Sequence, residues 1–384
     1  MLSPSPPAAG SSPLSASTPE PAPTAPPRRP FWKSGAFQLT IGIIVSVVCL
    51  ALAGRSLLRD PEARRQVVVA FTTANYTLIP VLLGLLALFF WLKAWRWQML
   101  LSPLGKYETM RECFPPVMIG FGFNNVLPAH LGEFVRIFVF ARQHRLAKSS
   151  VFSTVALERV LDILAILFYL GTGLFLVEGV SPGSRSVAMT VGAIAVAGFF
   201  GALAFVIFTK PVVRLAEGTL KRLPLIPDGL RAKVVALIEA GAAGLASLKN
   251  PWTLIGLMLT SLAQWGINGM LIHLSLRCFG IDVPPQVSLI LLGVVAFGVT
   301  VPSAPGYFGV IQICFVEVLK QFPVSQPAVF AASIFYHMVQ WIPVTLTGMI
   351  FFALSGVRLK EVEGAKQHGD PTEPALTGTA PMPE

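Results

Sequence analysis

Between positions 124 and 162 the chain places Glu133, Arg136, Glu158, Arg159 and Asp162 in surroundings that otherwise carry few charges. An ionisable side chain at the centre of a membrane helix costs about 2.5–3.5 kcal/mol on insertion scales, so such a set needs partners or a purpose. Arginine presents planar pairs of donors that match phosphate oxygens. Arg136 and Arg159 therefore point to recognition of a phosphate, while Glu133, Glu158 or Asp162 would meet a cationic group or carry a proton. The structural alternative is that Arg159 with Asp162, and Glu133 with Arg136, neutralise each other and lock helices together. Spacings of three and four put Glu158 and Asp162 on one helical face with Arg159 in reach of Asp162, and all five residues are expected to converge.

The elements that must position them are membrane helices. Of 384 residues, 54% are hydrophobic and 12% charged, and the mean hydropathy is +0.68. Apolar runs of about 20 residues, the length that crosses a hydrocarbon core, recur along the chain. The expected class is an all-α polytopic membrane protein with about six full spans and two Pro/Gly-broken re-entrant hairpins. The formal net charge of +10 lies at the ends of apolar runs and in the loops between them, which is membrane topology and not a nucleic-acid footprint. Cys49, Cys113, Cys278 and Cys314 form no paired motif and read as small buried hydrophobes. The sequence holds no nucleophile elbow, phosphate-binding loop or zinc-protease motif, so neither a cofactor nor catalysis is expected.

Residues 1–33 are rich in Pro, Ser, Ala and Thr and read as a disordered cytoplasmic tail. Basic residues before the apolar run 36–58 put the N-terminus inside, and the long leading tail favours an uncleaved anchor over a cleaved signal. A span at 77–97 ends in Lys93, Trp95, Arg96 and Trp97, read as a cationic and aromatic belt at the cytoplasmic boundary. Residues 113–141 form two short apolar pieces broken at Pro128 and Gly132, a hairpin entering from the cytoplasm. The charged span 151–177 leads outward and 187–208 returns. Residues 210–250 are basic and read as amphipathic cytoplasmic helices or a solvated connector. A span at 252–279, a second broken pair on either side of Pro302, Pro305, Gly306 and Gly309, and a span at 328–354 follow. The tail 357–384 is polar, disordered and cytoplasmic.

The two broken segments align with Pro128 on Pro302 and Gly132 on Gly306. After a short offset Glu158 falls on Tyr336, Arg159 on His337 and Asp162 on Gln340. A span, a broken pair and a span thus occur twice, over about 77–177 and 252–354, with one linking span between them. That odd crossing turns the second copy upside down, the inverted-repeat arrangement in which transporters hold a site near the midplane. In the second copy the polar set is Tyr307, Gln312, Glu317 and His337.

Three ordered motifs carry a resemblance. They are N-x-x-x-P-x-x-x-G-E-x-x-R from Asn124 to Arg136, E-R-x-x-D at Glu158, Arg159 and Asp162, and P-x-x-P-G-x-x-G-x-x-Q from Pro302 to Gln312. The chain resembles the flippase-like integral membrane family related to the transmembrane region of lysylphosphatidylglycerol synthetase. The resemblance implies a multi-pass protein of the bacterial or archaeal cytoplasmic membrane that moves a phospholipid or lipid-linked precursor between leaflets. The alternative it leaves is a non-transporting component that binds or delivers a lipid to a partner enzyme of envelope or hopanoid synthesis. The expected substrate-contacting residues are Asn124, His130, Glu133, Arg136, Glu158, Arg159, Asp162, Gln312 and His337. Pro128, Gly132, Pro302, Pro305, Gly306 and Gly309 are the expected hinges. His130 stands where relatives often carry Arg. The soluble aminoacyltransferase domain of the synthetase has no counterpart in this sequence, so lysyl-lipid synthesis is not expected of it. The expected partners are membrane lipids, and an envelope-lipid enzyme in the alternative reading.

Overall fold

The computed structural model describes residues 35–105, 107, 109–127, 131–177, 251–301, 303–358 and 361, with scattered residues between 185 and 200. The expectations for the tails, for most of the span 187–208, for 210–250, and for Pro128, His130 and Pro302 lie outside the described residues.

The regular elements among the described residues are all helical, without strands. Helices α1 (Gly35–Ala53), α2 (Arg55–Arg59) and α3 (Pro61–Thr73) precede α4 (Ile79–Leu101). A broken pair, α5 (Met110–Val126) and α6 (Leu131–His144), leads to α7 (Lys148–Leu176). After the undescribed stretch come α8 (Pro251–Cys278), the pair α9 (Pro285–Gly298) and α10 (Val310–Leu319), and α11 (Gln326–Leu354). Among the described residues three helices, Tyr76–Leu101, Trp252–Cys278 and Gln326–Leu354, are long and apolar enough to cross a membrane. The four arms of the broken pairs have 17, 14, 14 and 10 residues. At 1.5 Å per residue they reach about 26, 21, 21 and 15 Å, short of a hydrocarbon core of about 30 Å.

Local chemistry explains the breaks. Leu127, just before the break, is already extended and ends α5. Across the break Asn124 Oδ1 accepts the Gly132 N–H at 2.8 Å, which supplies a partner to one of the free donors of the first turn of α6. A Cβ on Gly132 would overlap the Gly120 carbonyl oxygen, so α5 and α6 approach as closely as they do only with glycine there. The second break contains a 3-10 turn, Pro305–Tyr307. Gly306 (φ 78°) and Gly309 (φ 87°) occupy the left-handed region that favours glycine. The apolar run expected at 36–58 is helical over Gly35–Ala53 and Arg55–Arg59, with a turn at Gly54. α1 stops at Ala53, and the amphipathic helix α3 begins at Pro61, with Asp60 accepting the Glu62 N–H at its N-terminus.

The helices exchange partners between the two halves. α4 packs on α8, α5 on α11 and α9 on α7. Small residues permit the last two crossings. A Cβ on Gly122 would fall 3.0 Å from the Gly348 Cα, and one on Gly293 2.7 Å from the Leu170 Cβ. α1 stands outside this exchange and lies on α10, with Ser46 Oγ accepting the Ala304 N–H at 2.9 Å.

Candidate functional site

The charged residues do converge. Asp162 is the midpoint of the 29-residue helix α7, and Glu158 lies one turn before it. Both are buried, as are Arg136 on α6 and Lys93 and Arg96 on α4. Arg96 Nη2 approaches Asp162 Oδ1 at 2.7 Å and Lys93 Nζ lies 3.1 Å from Asp162 Oδ2. Glu158 receives Lys93 at 3.2 Å, Arg136 at 2.8 Å and Arg159 at 3.0 Å. Arg159 also reaches Glu133 at 3.4 Å and Asp162 at 3.5 Å. From α8, Gln264 Nε2 and Trp265 Nε1 donate to Asp162 Oδ1 at 3.0 and 2.9 Å, and Ser261 Oγ accepts from Arg96 at 2.8 Å.

Two expectations are corrected by this geometry. Lys93 and Arg96 do not form a boundary belt. α4 continues to Leu101, which carries both cations inward, 1% and 0% exposed, to the centre of the cluster. The pairing of Glu133 with Arg136 along one helix is replaced by a crossed arrangement, Arg136 with Glu158 and Glu133 with Arg159. The crossing arises because the Arg136 guanidinium is stacked 3.8 Å from the Trp97 ring centroid. Trp97 is itself held by its indole N–H, which donates to Thr154 Oγ1 at 3.1 Å.

Among the described residues the ion-paired cluster thus holds four cations, Lys93, Arg96, Arg136 and Arg159, and three carboxylates, Glu133, Glu158 and Asp162, one cation more than carboxylates. The carboxylates Glu158 and Asp162 are surrounded by cations on every side, so neither is open to a cationic ligand. Arg159 is the most accessible of the cations, its side chain 35% exposed. The Nε and Nη1 donors of Arg136 are buried without a hydrogen-bond partner.

Beside the cluster is a cavity of about 180 Å³ among α4, α5, α8, α9, α10 and α11. Phe121 and Trp265 join the two. The Phe121 ring lines the cavity and lies 5.1 Å from Lys93 Nζ and 5.8 Å from the Arg159 guanidinium. Tyr307, also in the wall, is within electrostatic reach of Glu133 and Arg159. The three second-half residues aligned with Glu158, Arg159 and Asp162, namely Tyr336, His337 and Gln340, all line this cavity.

The remaining expected residues take defined places. Asn124 is engaged in holding the α5–α6 break. The Gly309 N–H donates to Gln312 Oε1 at 2.7 Å, which directs Gln312 Nε2 toward His337 Nδ1 at 3.3 Å. Gln312 Nε2 is a donor, so Nδ1 accepts there, and the imidazole also meets the Gly306 backbone. Gly306 is pressed against Trp341, whose Nε1 a Cβ would meet at 2.7 Å. Pro305 opens the 3-10 turn. Glu317 pairs with Lys320 near the end of α10 and stands apart from the cluster. Among the described residues no group of His, Cys, Asp and Glu has a metal-binding arrangement.

Sequence reasoning missed Lys93, Arg96, Ser261, Gln264 and Trp265. Lys93 and Arg96 are three apart and so share a helical face, which was a readable signal. In a run of tryptophans near a helix end, that signal is masked by the pattern of a boundary belt.

Buried, ion-paired charge within a bundle of apolar helices, next to a cavity lined mainly by apolar and aromatic side chains, defines a helical membrane protein with a candidate internal site. Residues 39–348 match the family described as the lysylphosphatidylglycerol synthase TM region, and the chain belongs to that family. It is 27% identical over 351 residues to a protein of Haloferax volcanii named glycosyltransferase AglD, covering 83% of this chain and 54% of that protein. It is 33% identical over 88 residues to the UPF0104 membrane protein MJ1595 of Methanocaldococcus jannaschii, covering 22% of this chain and 26% of that one. The chain thus spans about half of the first relative and a quarter of the second. No solved structure matches it.

Proposed function

We propose that this protein moves a phosphate-bearing lipid, or a lipid-linked precursor, between the leaflets of the cytoplasmic membrane, with both termini cytoplasmic. The observation that carries the reading is the cation left over among the described ion pairs, with Arg159 part-exposed and 5.8 Å from the ring of Phe121, which lines the cavity. An anion arriving there balances the cluster, and the planar donors of Arg159 suit two phosphate oxygens.

The exchange of partners between halves supports an inverted repeat. The first arm of each broken pair packs on the last helix of the other copy, α5 on α11 and α9 on α7. A site at the interface of two such copies is where alternating access places a substrate. The protein's own residues supply no bond-making step in this reading.

A second reading is favoured by one comparison. The relative named glycosyltransferase is nearly twice as long as the stretch matched here. This suits a lipid-binding unit that delivers its lipid to a partner enzyme without transporting it. Reconstitution separates the two. Purified protein in liposomes with fluorescent phospholipids should speed leaflet exchange, read by quenching of the outer leaflet. Saturable lipid binding without exchange would support delivery instead.

A further inference from the structure

The cavity beside the charge cluster has a chemistry of its own. Among the described residues no Asp, Glu, Lys or Arg lines it, and His337 Nδ1 faces the Gln312 amide nitrogen, a donor. The nearest carboxylates, Glu158 and Asp162, are engaged by Lys93, Arg96 and Arg136. A cationic headgroup would therefore enter a neutral chamber with a net positive neighbour.

What the walls offer instead is flat aromatic surface together with mixed donors and acceptors. The rings of Trp265, Trp341 and Tyr307 line the space. Asn268 accepts the Tyr336 hydroxyl at 3.0 Å through Oδ1, which leaves its amide hydrogens for a guest. Asn125 donates to Thr345 Oγ1 at 2.9 Å, which leaves its carbonyl oxygen. The Trp341 ring lines the space while its indole N–H is turned onto Gly306. A group that both donates and accepts at several points, and presents C–H faces to aromatic rings, fits these walls. That is a polyhydroxylated ring. The space suits one compact ring and is below the 300 Å³ or so of a drug-sized pocket, so acyl chains stay outside.

We propose that the cavity binds the neutral, polyhydroxylated headgroup of a lipid, a sugar or cyclic polyol, whose linking phosphate meets Arg159. This deepens the lipid-transport reading and rests on it for the lipid.

The test is equilibrium binding to the full chain in nanodiscs, with three short-chain fluorescent lipids. One carries a hexose on a phosphodiester, one a lysyl ester on the same phosphodiester, and one the hexose without phosphate. The hexosyl phosphate lipid should bind about tenfold tighter than the lysyl lipid, the scale of one or two hydrogen bonds and an unfavourable charge. Trp341→Leu, which removes the flat aromatic face, and Asn268→Ala should each reduce that preference. Arg159→Gln should weaken both phosphate lipids alike and leave the phosphate-free lipid unchanged. Equal or tighter binding of the lysyl lipid, or a preference unmoved by both cavity variants, would overturn the proposal. Competition by free hexose phosphate at the lipid's own concentration would overturn its lipid part. Binding is read apart from leaflet exchange. Sugar-selective binding without exchange leaves this inference standing and removes transport, whereas exchange selective for cationic headgroups does the reverse.

Discussion

Lys93 Nζ lies 3.1 Å from Asp162 Oδ2, across 69 positions of sequence, and this contact joins the first long apolar helix to the charged one. Neither residue has water to fall back on, since both are at most 2% exposed. Removing one member of a buried ion pair costs about 3–5 kcal/mol, because the other is left uncompensated. Lys93→Met and Asp162→Asn should each lower thermal stability in detergent strongly. The double variant should be more stable than the sum of the two losses predicts, measured as a double-mutant cycle on thermal unfolding.

The glycines of the two breaks should be intolerant for different reasons. Gly132→Ala places a methyl on the Gly120 carbonyl oxygen. Gly309→Ala meets both the Ser46 carbonyl and a left-handed backbone. Both variants should yield little monodisperse protein in size-exclusion chromatography. Gly84→Ala on the exposed face of α4 has nothing within 4 Å of its new methyl. It should behave as the parent or gain up to about 1 kcal/mol from helix propensity.

Sequence reading anticipated which charged residues converge better than how they pair. E-R-x-x-D placed Glu158, Arg159 and Asp162 correctly because helical spacing fixes which residues share a face. Partners from other helices are not encoded by spacing. Arg136 was assigned to Glu133 as a neighbour on one helix, yet the Trp97 ring turns it toward Glu158. Lys93 and Arg96 obeyed the pattern of a boundary belt, and only the continuation of α4 to Leu101 shows them to be interior. The glycines at 132, 306 and 309 were legible as special positions, but only Gly306 and Gly309 use backbone freedom, whereas Gly132 serves the close approach of α5 and α6. The cavity residues Asn125, Asn268 and Trp341 carry no motif. They meet only because α5, α8 and α11 pack together, and tertiary packing is what the linear pattern omits.

Accessibility offers an independent check on the cluster. Arg159 is one-third exposed while Arg136 is 1% exposed. In a background where Cys49, the least buried cysteine, is replaced by Ala, Arg159→Cys should react with a small water-soluble thiol reagent. Arg136→Cys should stay unlabelled until the protein is denatured, as followed by mass spectrometry.

Gln312 should matter through His337. Gln312→Leu removes both the acceptor for Gly309 N–H and the donor to His337 Nδ1. A loss of about 1–3 kcal/mol in stability is expected from the unsatisfied buried groups. Gln312→Glu keeps the acceptor and should retain more of the stability in the same thermal assay.

The central claim is that Arg159 presents the unbalanced positive charge to a lipid phosphate. It is tested most directly by leaflet exchange of a fluorescent phosphodiester lipid in liposomes holding the parent protein, Arg159→Gln, or Arg277→Gln. Arg277 pairs with Asp282 away from the cluster and serves as the control. A charge-assisted hydrogen bond of about 1.5–3 kcal/mol corresponds to a fall of roughly 10- to 100-fold for Arg159→Gln, with Arg277→Gln unchanged. Equal exchange by all three proteins, each correctly inserted, would contradict the account.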